Sequence, residues 1–137
     1  MSIDILELLY KLKTRNLLLF IAERKVLLVT GDPLDAGKQV EVLNNDGQPK
    51  LCPSIQNYPL GLWGAMAAMF NDKVVICGGS TSGSSSGATN KCYQLGDNGQ
   101  WAPFGTGLKS ARFWGAAASV TIQGEEYLWI TGGRDAR

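Results

Sequence analysis

Apolar positions in this chain fall in short runs that stop at glycine. Residues 26–30 run into Gly31, residues 74–77 into Gly78-Gly79, and residues 128–131 into Gly132-Gly133. Each run is four or five residues, rich in Val, Ile and Leu, and has no 3.6-residue period, so each predicts a β-strand. Two further apolar stretches, 63–70 and 114–122, precede the second and third runs, separated from them only by the polar turns Asn71-Asp72 and Gln123-Gly124-Glu125. Asp46-Gly47 and Asn98-Gly99 are dipeptides suited to the two positive-φ positions of a type I′ turn. They predict hairpins after 40–43 and between 91–95 and 100–102. Two hairpins per stretch make four strands. Residues 80–88, seven of nine being Ser or Gly, predict a flexible joining loop.

These marks recur. Taking Gly31, Gly78 and Gly132 as equivalent gives spacings of 47 and 54 residues; the two Gly-containing turns, at Gly47 and Gly99, are 52 apart; Trp63-Gly64-Ala65 and Trp114-Gly115-Ala116 are 51 apart. Three independent features share one period and one order. A four-stranded unit of about 50 residues is the length of a propeller blade of the kelch kind. The chain resembles kelch repeats on specific residues: Gly78-Gly79 closing a strand, Tyr93 in the next strand, Trp101 after the hairpin, and again Gly132-Gly133. The first unit is degraded, with Gly31-Asp32, Glu41 and Pro49 where the pattern asks for Gly-Gly, Tyr and Trp. The resemblance implies an all-β chain built of kelch-type β-propeller blades of four antiparallel strands. It implies a degraded repeat over 15–52, a repeat over 53–104 and an incomplete one over 105–137. Residues 1–14 match nothing, a short amphipathic helix or another strand being the alternatives. Propellers have about 4–8 blades, so a partial propeller of about two and a half is expected to be a fragment of a longer kelch protein, or else one of several copies that close a ring. The resemblance also makes Gly78, Gly79, Tyr93, Trp101, Gly132 and Gly133 structural, the glycines taking positive φ and the aromatics packing between blades.

Composition narrows the chemistry. Of 137 residues, 13 are Lys or Arg and 12 Asp or Glu, a net charge of +1. That balance excludes the concentrated basic field of a nucleic-acid or membrane-surface protein. Histidine is absent, which removes Ser-His-Asp and Cys-His catalysis and every His-ligated metal site. No cofactor is expected. Cys52, Cys77 and Cys92 lack C-x-x-C spacing and read as three reduced thiols, with one disulfide plus a free thiol as the alternative. No segment approaches the ~20 apolar residues of a membrane span. No signal-peptide core is visible, so a cytoplasmic location is expected.

Several motifs stop short of a site. Residues 26–38 imitate a strand leading into a phosphate loop. However, five residues rather than four separate Gly31 from Gly37, and Gln39 follows Lys38 where a hydroxyl is needed. Glu125-Glu126 belongs to a predicted hairpin turn and is expected to stay wet. Residues 82–87 are expected to be a solvated loop, with phosphorylation or anion binding as the alternative, and Asp32 and Asp35 carry no sign of a shared cleft. Arg112, Phe113 and Trp114, with Trp63 one unit earlier, lie where first strands begin, and Arg beside large aromatics is the composition of binding hot spots. The expected function is a protein–protein interaction module, a scaffold or substrate-adaptor surface with other proteins as partners and no catalysis. The resemblance implies a role such as those of the ubiquitin-ligase adaptors or cytoskeletal binders of the kelch family, and a complete adaptor with its BTB domain is not expected here. The alternative is a fragment of a kelch-fold enzyme, similar to the copper oxidases or the sialic-acid epimerases, with its active-site residues outside the chain.

Overall fold

A computed structural model describes residues 55–135 throughout, and before them Lys38 and the strands at 18–22, 25–29, 40–43 and 49–51, with side-chain detail in that part only for Lys38 and Val40. The expectations placed on residues 1–14, on Gly31-Asp32, on the phosphate-loop-like stretch before Lys38, on the Asp46-Gly47 turn and on Cys52 lie outside the described residues. So do the side chains of Glu41 and Pro49.

The described residues form an all-β structure of three antiparallel sheets. β1 (Leu18–Ala22), β2 (Lys25–Val29), β3 (Val40–Leu43) and β4 (Pro49–Leu51) make the first. β5 (Met66–Phe70), β6 (Lys73–Cys77), β7 (Cys92–Leu95) and β8 (Trp101–Pro103) make the second. β9 (Arg112–Ile122) and β10 (Glu125–Asp135) make a two-stranded third. Within each sheet every strand pairs with the next in sequence, and among the described residues the three sheets do not close into a ring.

The turns differ in detail from expectation. Asn71 and Asp72 have φ of 47° and 58°, and Gln123 and Gly124 have 53° and 83°. The type I′ geometry, with both central residues at positive φ, therefore lies in these two turns. At Asn98-Gly99 only Gly99 is left-handed, at 76°. Its N–H donates to the Gly96 carbonyl (2.9 Å), and Gly96 N–H donates to Gln100 O (2.8 Å). This is a type I turn over Asp97 and Asn98 followed by a glycine bulge. The cause is local: Asn98 Oδ1 accepts the Gln100 N–H at 3.1 Å, an Asx contact that uses the side chain to close the turn.

β6 explains the unbroken apolar run that first marked it. Val74 and Ile76 face a core with Val40, Tyr58, Leu62 and Trp101. Val75 and Cys77 face the opposite way, with Cys92, against Leu128 and Ile130 of β10. A strand covered on both faces has no polar side to display. On the first face, Tyr58 meets Tyr93 and Trp101 edge to face, with ring centroids 5.6 and 4.9 Å away. Trp101 Nε1 donates to Gln56 O at 3.0 Å, so the large indole is buried with its one donor satisfied.

Cys77 and Cys92 are directly opposite in the β6–β7 ladder and form a disulfide. The expectation of three reduced thiols is therefore wrong for this pair. Fifteen residues separate them in sequence, and only the strand register brings their Cα atoms to 4.1 Å.

The loop at 80–88 is built rather than loose, another departure from expectation. Ser80 bridges Trp63 on one side and Ala88 on the other. Its hydroxyl, fully buried, donates to Ser84 O at 2.6 Å. A short 3-10 turn at Ser85–Gly87 completes the loop, and Ser82, Ser84 and Ser86 join hydroxyl to hydroxyl at 2.8 and 2.9 Å.

Candidate functional site

The second and third units can be matched through their ladders. Met66 faces Cys77 and Trp63 faces Ser80, which sets Gly64 across from Gly79. Gly132 faces Gly115 and Arg134 faces Phe113, which sets Trp114 across from Gly133. With Gly78 matched to Gly132 and Gly79 to Gly133, Gly64 corresponds to Trp114 and Trp63 to Phe113. The dihedrals agree: φ is 66° and 68° at the first glycines, 97° and 83° at the second, and 58° at both Gly64 and Trp114. The tryptophans that matched in sequence are thus one residue out of register in space.

That match exposes a change of chemistry. Leu62 and Ser80, 1% and 0% exposed, correspond to Arg112 and Arg134. Both arginines line one cavity of about 660 Å³, together with Phe113, Asp135, Ser84 and Ser85. Arg112 is the first residue of β9, held there because its carbonyl accepts the Gly79 N–H at 2.9 Å. Its guanidinium donates to Ser110 Oγ at 2.9 Å and to Gly132 O at 3.4 Å. Arg134 is exposed, with its guanidinium carbon 5.9 Å from the Trp114 ring centroid, a cation–π contact. The serine loop forms the facing wall.

The residues singled out in the sequence are dispersed in role. Arg112 reaches the cavity. Phe113 lines it but is 1% exposed. Trp114 is 47% exposed and lies across Gly64, 4.9 Å centroid to centroid from Phe113. Trp63 is half-buried against Gly83 of the serine loop, and its Nε1 is buried with no partner among the described residues. Gly78, Gly79, Tyr93 and Trp101 sit where the second unit meets its neighbours. Glu126, expected to stay wet, accepts the Asn71 N–H at 2.8 Å and so ties β10 to the turn of the preceding unit. Among the described residues no cluster of His, Cys, Asp or Glu is fit to hold a metal ion, and no helix is long and apolar enough to cross a membrane. Sequence reasoning missed Arg134 and set Ser84 and Ser85 aside as part of a solvated loop. A signal was available: Gly78-Gly79 is followed by Ser80-Thr81, and Gly132-Gly133 by Arg134-Asp135, so the repeat breaks where the cavity is.

Among the described residues these sheets define an all-β fold of two four-stranded antiparallel sheets and a two-stranded one. No family model matches the chain, and no curated protein matches it. Among solved structures it is similar in fold to the one described as "Structure of YjhT", with a TM-score of 0.61 and 20% identity, covering 90% of this chain and 39% of that one. The chain thus spans well under half the length of that protein, and the likeness is one of fold.

Proposed function

We propose that the chain is part of a kelch-type propeller, with β1–β4 and β5–β8 as two blades and β9–β10 as half of a third, and that it works as a protein–protein interaction scaffold. The observation that carries this reading is the outer face of β9–β10. Ala118 opposite Trp129 corresponds to Ala68 opposite Val75. Ala68 and Val75 are 8% and 1% exposed beneath the third unit, whereas Trp129 is 55% exposed, with Tyr127 and Ile122 at 43% beside it. A face of this kind is an association surface. Among the described residues β10 also has a neighbour on one side only, an edge open to a further strand.

The occupant we infer is another four-stranded unit presenting aliphatic residues as Leu128 and Ile130 do. In a solution of this chain alone, such units come only from other copies. Sedimentation analysis is expected to find concentration-dependent association that Trp129→Lys with Tyr127→Lys abolishes, the far-ultraviolet circular dichroism being unchanged. A protein that stays monomeric at every concentration, with Trp129 freely quenched by acrylamide, overturns the proposal. The compartment belongs to the same proposal. The Cys77–Cys92 bond favours an oxidising environment over the cytoplasm, where such bonds rarely persist.

A further inference from the structure

We propose that the open edge of β10 takes up an extended segment of a partner protein as a third strand, with an aromatic residue opposite Ile130 and a basic residue four places after it. The inference rests on the reading of β9–β10 as the first half of a unit, and it concerns the edge of that hairpin, not its Trp129 face.

The second unit is a template for the strand. There β7 lies along β6 with Tyr93 opposite Ile76. Gly78 N–H donates to Lys91 O at 2.9 Å, and bonding alternates along an antiparallel ladder, so Ile76 and Tyr93 also exchange main-chain bonds. With Gly78 matched to Gly132, Ile76 corresponds to Ile130 and Val74 to Leu128. Tyr58 corresponds to Leu108. Its N–H donates to Lys38 O, two residues before β3, as Leu108 N–H donates to Asn90 O, two residues before β7. Tyr58, Val74 and Ile76 are 1%, 6% and 0% exposed, in one cluster with Tyr93, Leu95 and Trp101 of β7 and β8. Leu108, Leu128 and Ile130 gather over Val75, Cys77 and Cys92, in a cluster that lacks counterparts of Tyr93, Leu95 and Trp101 among the described residues. All three are only half-buried.

The main chain of the edge is set for pairing. Glu125 faces Ile122 across the two-residue turn Gln123-Gly124, which makes that pair a hydrogen-bonded one. Alternation then turns the peptide groups of Tyr127 and Trp129 toward β9 and those of Glu126, Leu128 and Ile130 away from it. Among the described residues no strand pairs with that side.

Packing and charge select the occupant. It must lie beside β10 and still have an apolar face free for Leu108. The β10 strand of a second copy does not qualify, because its Leu128 and Ile130 are packed on its own second unit. A separate extended segment does, by strand addition. An aromatic ring opposite Ile130 meets Leu108 as the Tyr93 ring meets Tyr58, 5.6 Å between centroids. Four places further on, the segment passes Glu126. In the second unit that place holds an acid, Asp97, which meets Lys73 at 3.6 Å. Here the edge itself is acidic, with Glu125 and Glu126 adjacent, so a Lys or Arg is the complement.

The test is titration of the isotopically labelled full chain with the capped heptapeptide Thr-Val-Tyr-Gln-Leu-Thr-Lys, read by backbone amide shifts. Shifts are expected at Leu108, Leu128, Ile130 and Gly132. Asp in place of the peptide's Tyr, or Leu108→Ala in the protein, should weaken binding about tenfold through lost apolar burial. Glu in place of its Lys should weaken it about threefold. N-methylation of the Tyr amide, which donates to Ile130 O, should abolish binding, whereas N-methylation of the Gln amide, which points away from β10, should leave it unchanged. Silence of those four amides, equal loss from the two N-methyl groups, or equal binding by the Tyr and Asp peptides overturns the proposal. Titration of the Trp129→Lys, Tyr127→Lys protein is expected to give the wild-type peptide affinity. Sedimentation of the peptide-free protein reports on the scaffold face separately, so either surface can fail alone.

Discussion

Trp114 lies on Gly64. Its N–H donates to the Gly64 carbonyl at 2.8 Å, and its indole occupies the space that a Cβ on Gly64 would need. Both residues have φ of 58°, a conformation natural for glycine and strained for tryptophan. The strain at Trp114 is held in place by what surrounds it: the Gly64 carbonyl below, the Phe113 ring beside it and the Arg134 guanidinium above.

Gly64→Ala should therefore destabilise the protein by at least about 2 kcal/mol, from backbone strain plus displacement of the indole. In a Trp114→Ala background the same change should cost only the strain, roughly 1 kcal/mol. Denaturant unfolding of the four proteins in a double-mutant cycle measures the difference. Additive effects would mean that Trp114 does not rest on Gly64.

The two leading glycines of the doublets differ in surroundings despite equal dihedrals. A Cβ on Gly78 meets the Arg112 carbonyl oxygen, which is backbone and cannot give, whereas one on Gly132 meets nothing within 4 Å among the described residues. Gly132→Ala should cost only the positive-φ strain of roughly 1 kcal/mol. Gly78→Ala should cost about 3 kcal/mol or more, since it also pushes β9 away from β6. Hydrogen exchange should detect this as lost protection at the Gly79 and Trp114 amides, which bond across the junction. Equal costs at the two positions would contradict that junction.

How far the sequence could be read follows from these contrasts. Strands, hairpin order and the four-stranded unit were legible because they depend on local signals: β-branched runs, polar turns and glycine ends. The register between units was not. Trp63 and Trp114 align as letters, yet the ladders match Trp114 to Gly64, because the third hairpin is longer and its first strand enters one residue later. The disulfide was hidden for a related reason, since nothing short of the β6–β7 register tells that Cys77 faces Cys92. The cavity was half legible. Arg112 stood out beside aromatics, whereas Arg134 becomes visible only when the residues after each glycine doublet are compared. The serine loop misled, because composition reports the lack of apolar residues and not the Ser80 hydroxyl that organises it.

The disulfide yields a test of its own. Closing a loop of 15 residues contributes about 3 kcal/mol in the chain-entropy account. Cys77→Ala with Cys92→Ala should lower the unfolding free energy by about that amount, and dithiothreitol should bring the wild type toward the same value. In denaturant without reductant, maleimide should leave Cys77 and Cys92 unlabelled, and after reduction it should label both. Labelling before reduction would rule the bond out.

Tyr58 ties pH to packing. Its ring is 1% exposed, and its hydroxyl has no partner among the described residues. Burial, and after it the neighbouring Tyr93, raises its pKa well above the ordinary 10.0. The folded state therefore keeps the proton where the unfolded chain has released it. The resulting contribution is complete below pH 10 and is lost as pH rises beyond it. Tyr58→Phe removes the ionisation and an unpaired buried hydroxyl while keeping the edge-to-face contacts with Tyr93 and Trp101. At neutral pH the variant should be as stable as the wild type or up to about 1 kcal/mol more so. Above pH 10 its advantage should grow by up to ~1.4 kcal/mol per pH unit. Urea unfolding at pH 7 and at steps above pH 10 measures both. A large loss of stability at neutral pH would reveal a hydrogen bond to the hydroxyl, and parallel pH profiles would show that Tyr58 ionises freely in the folded state.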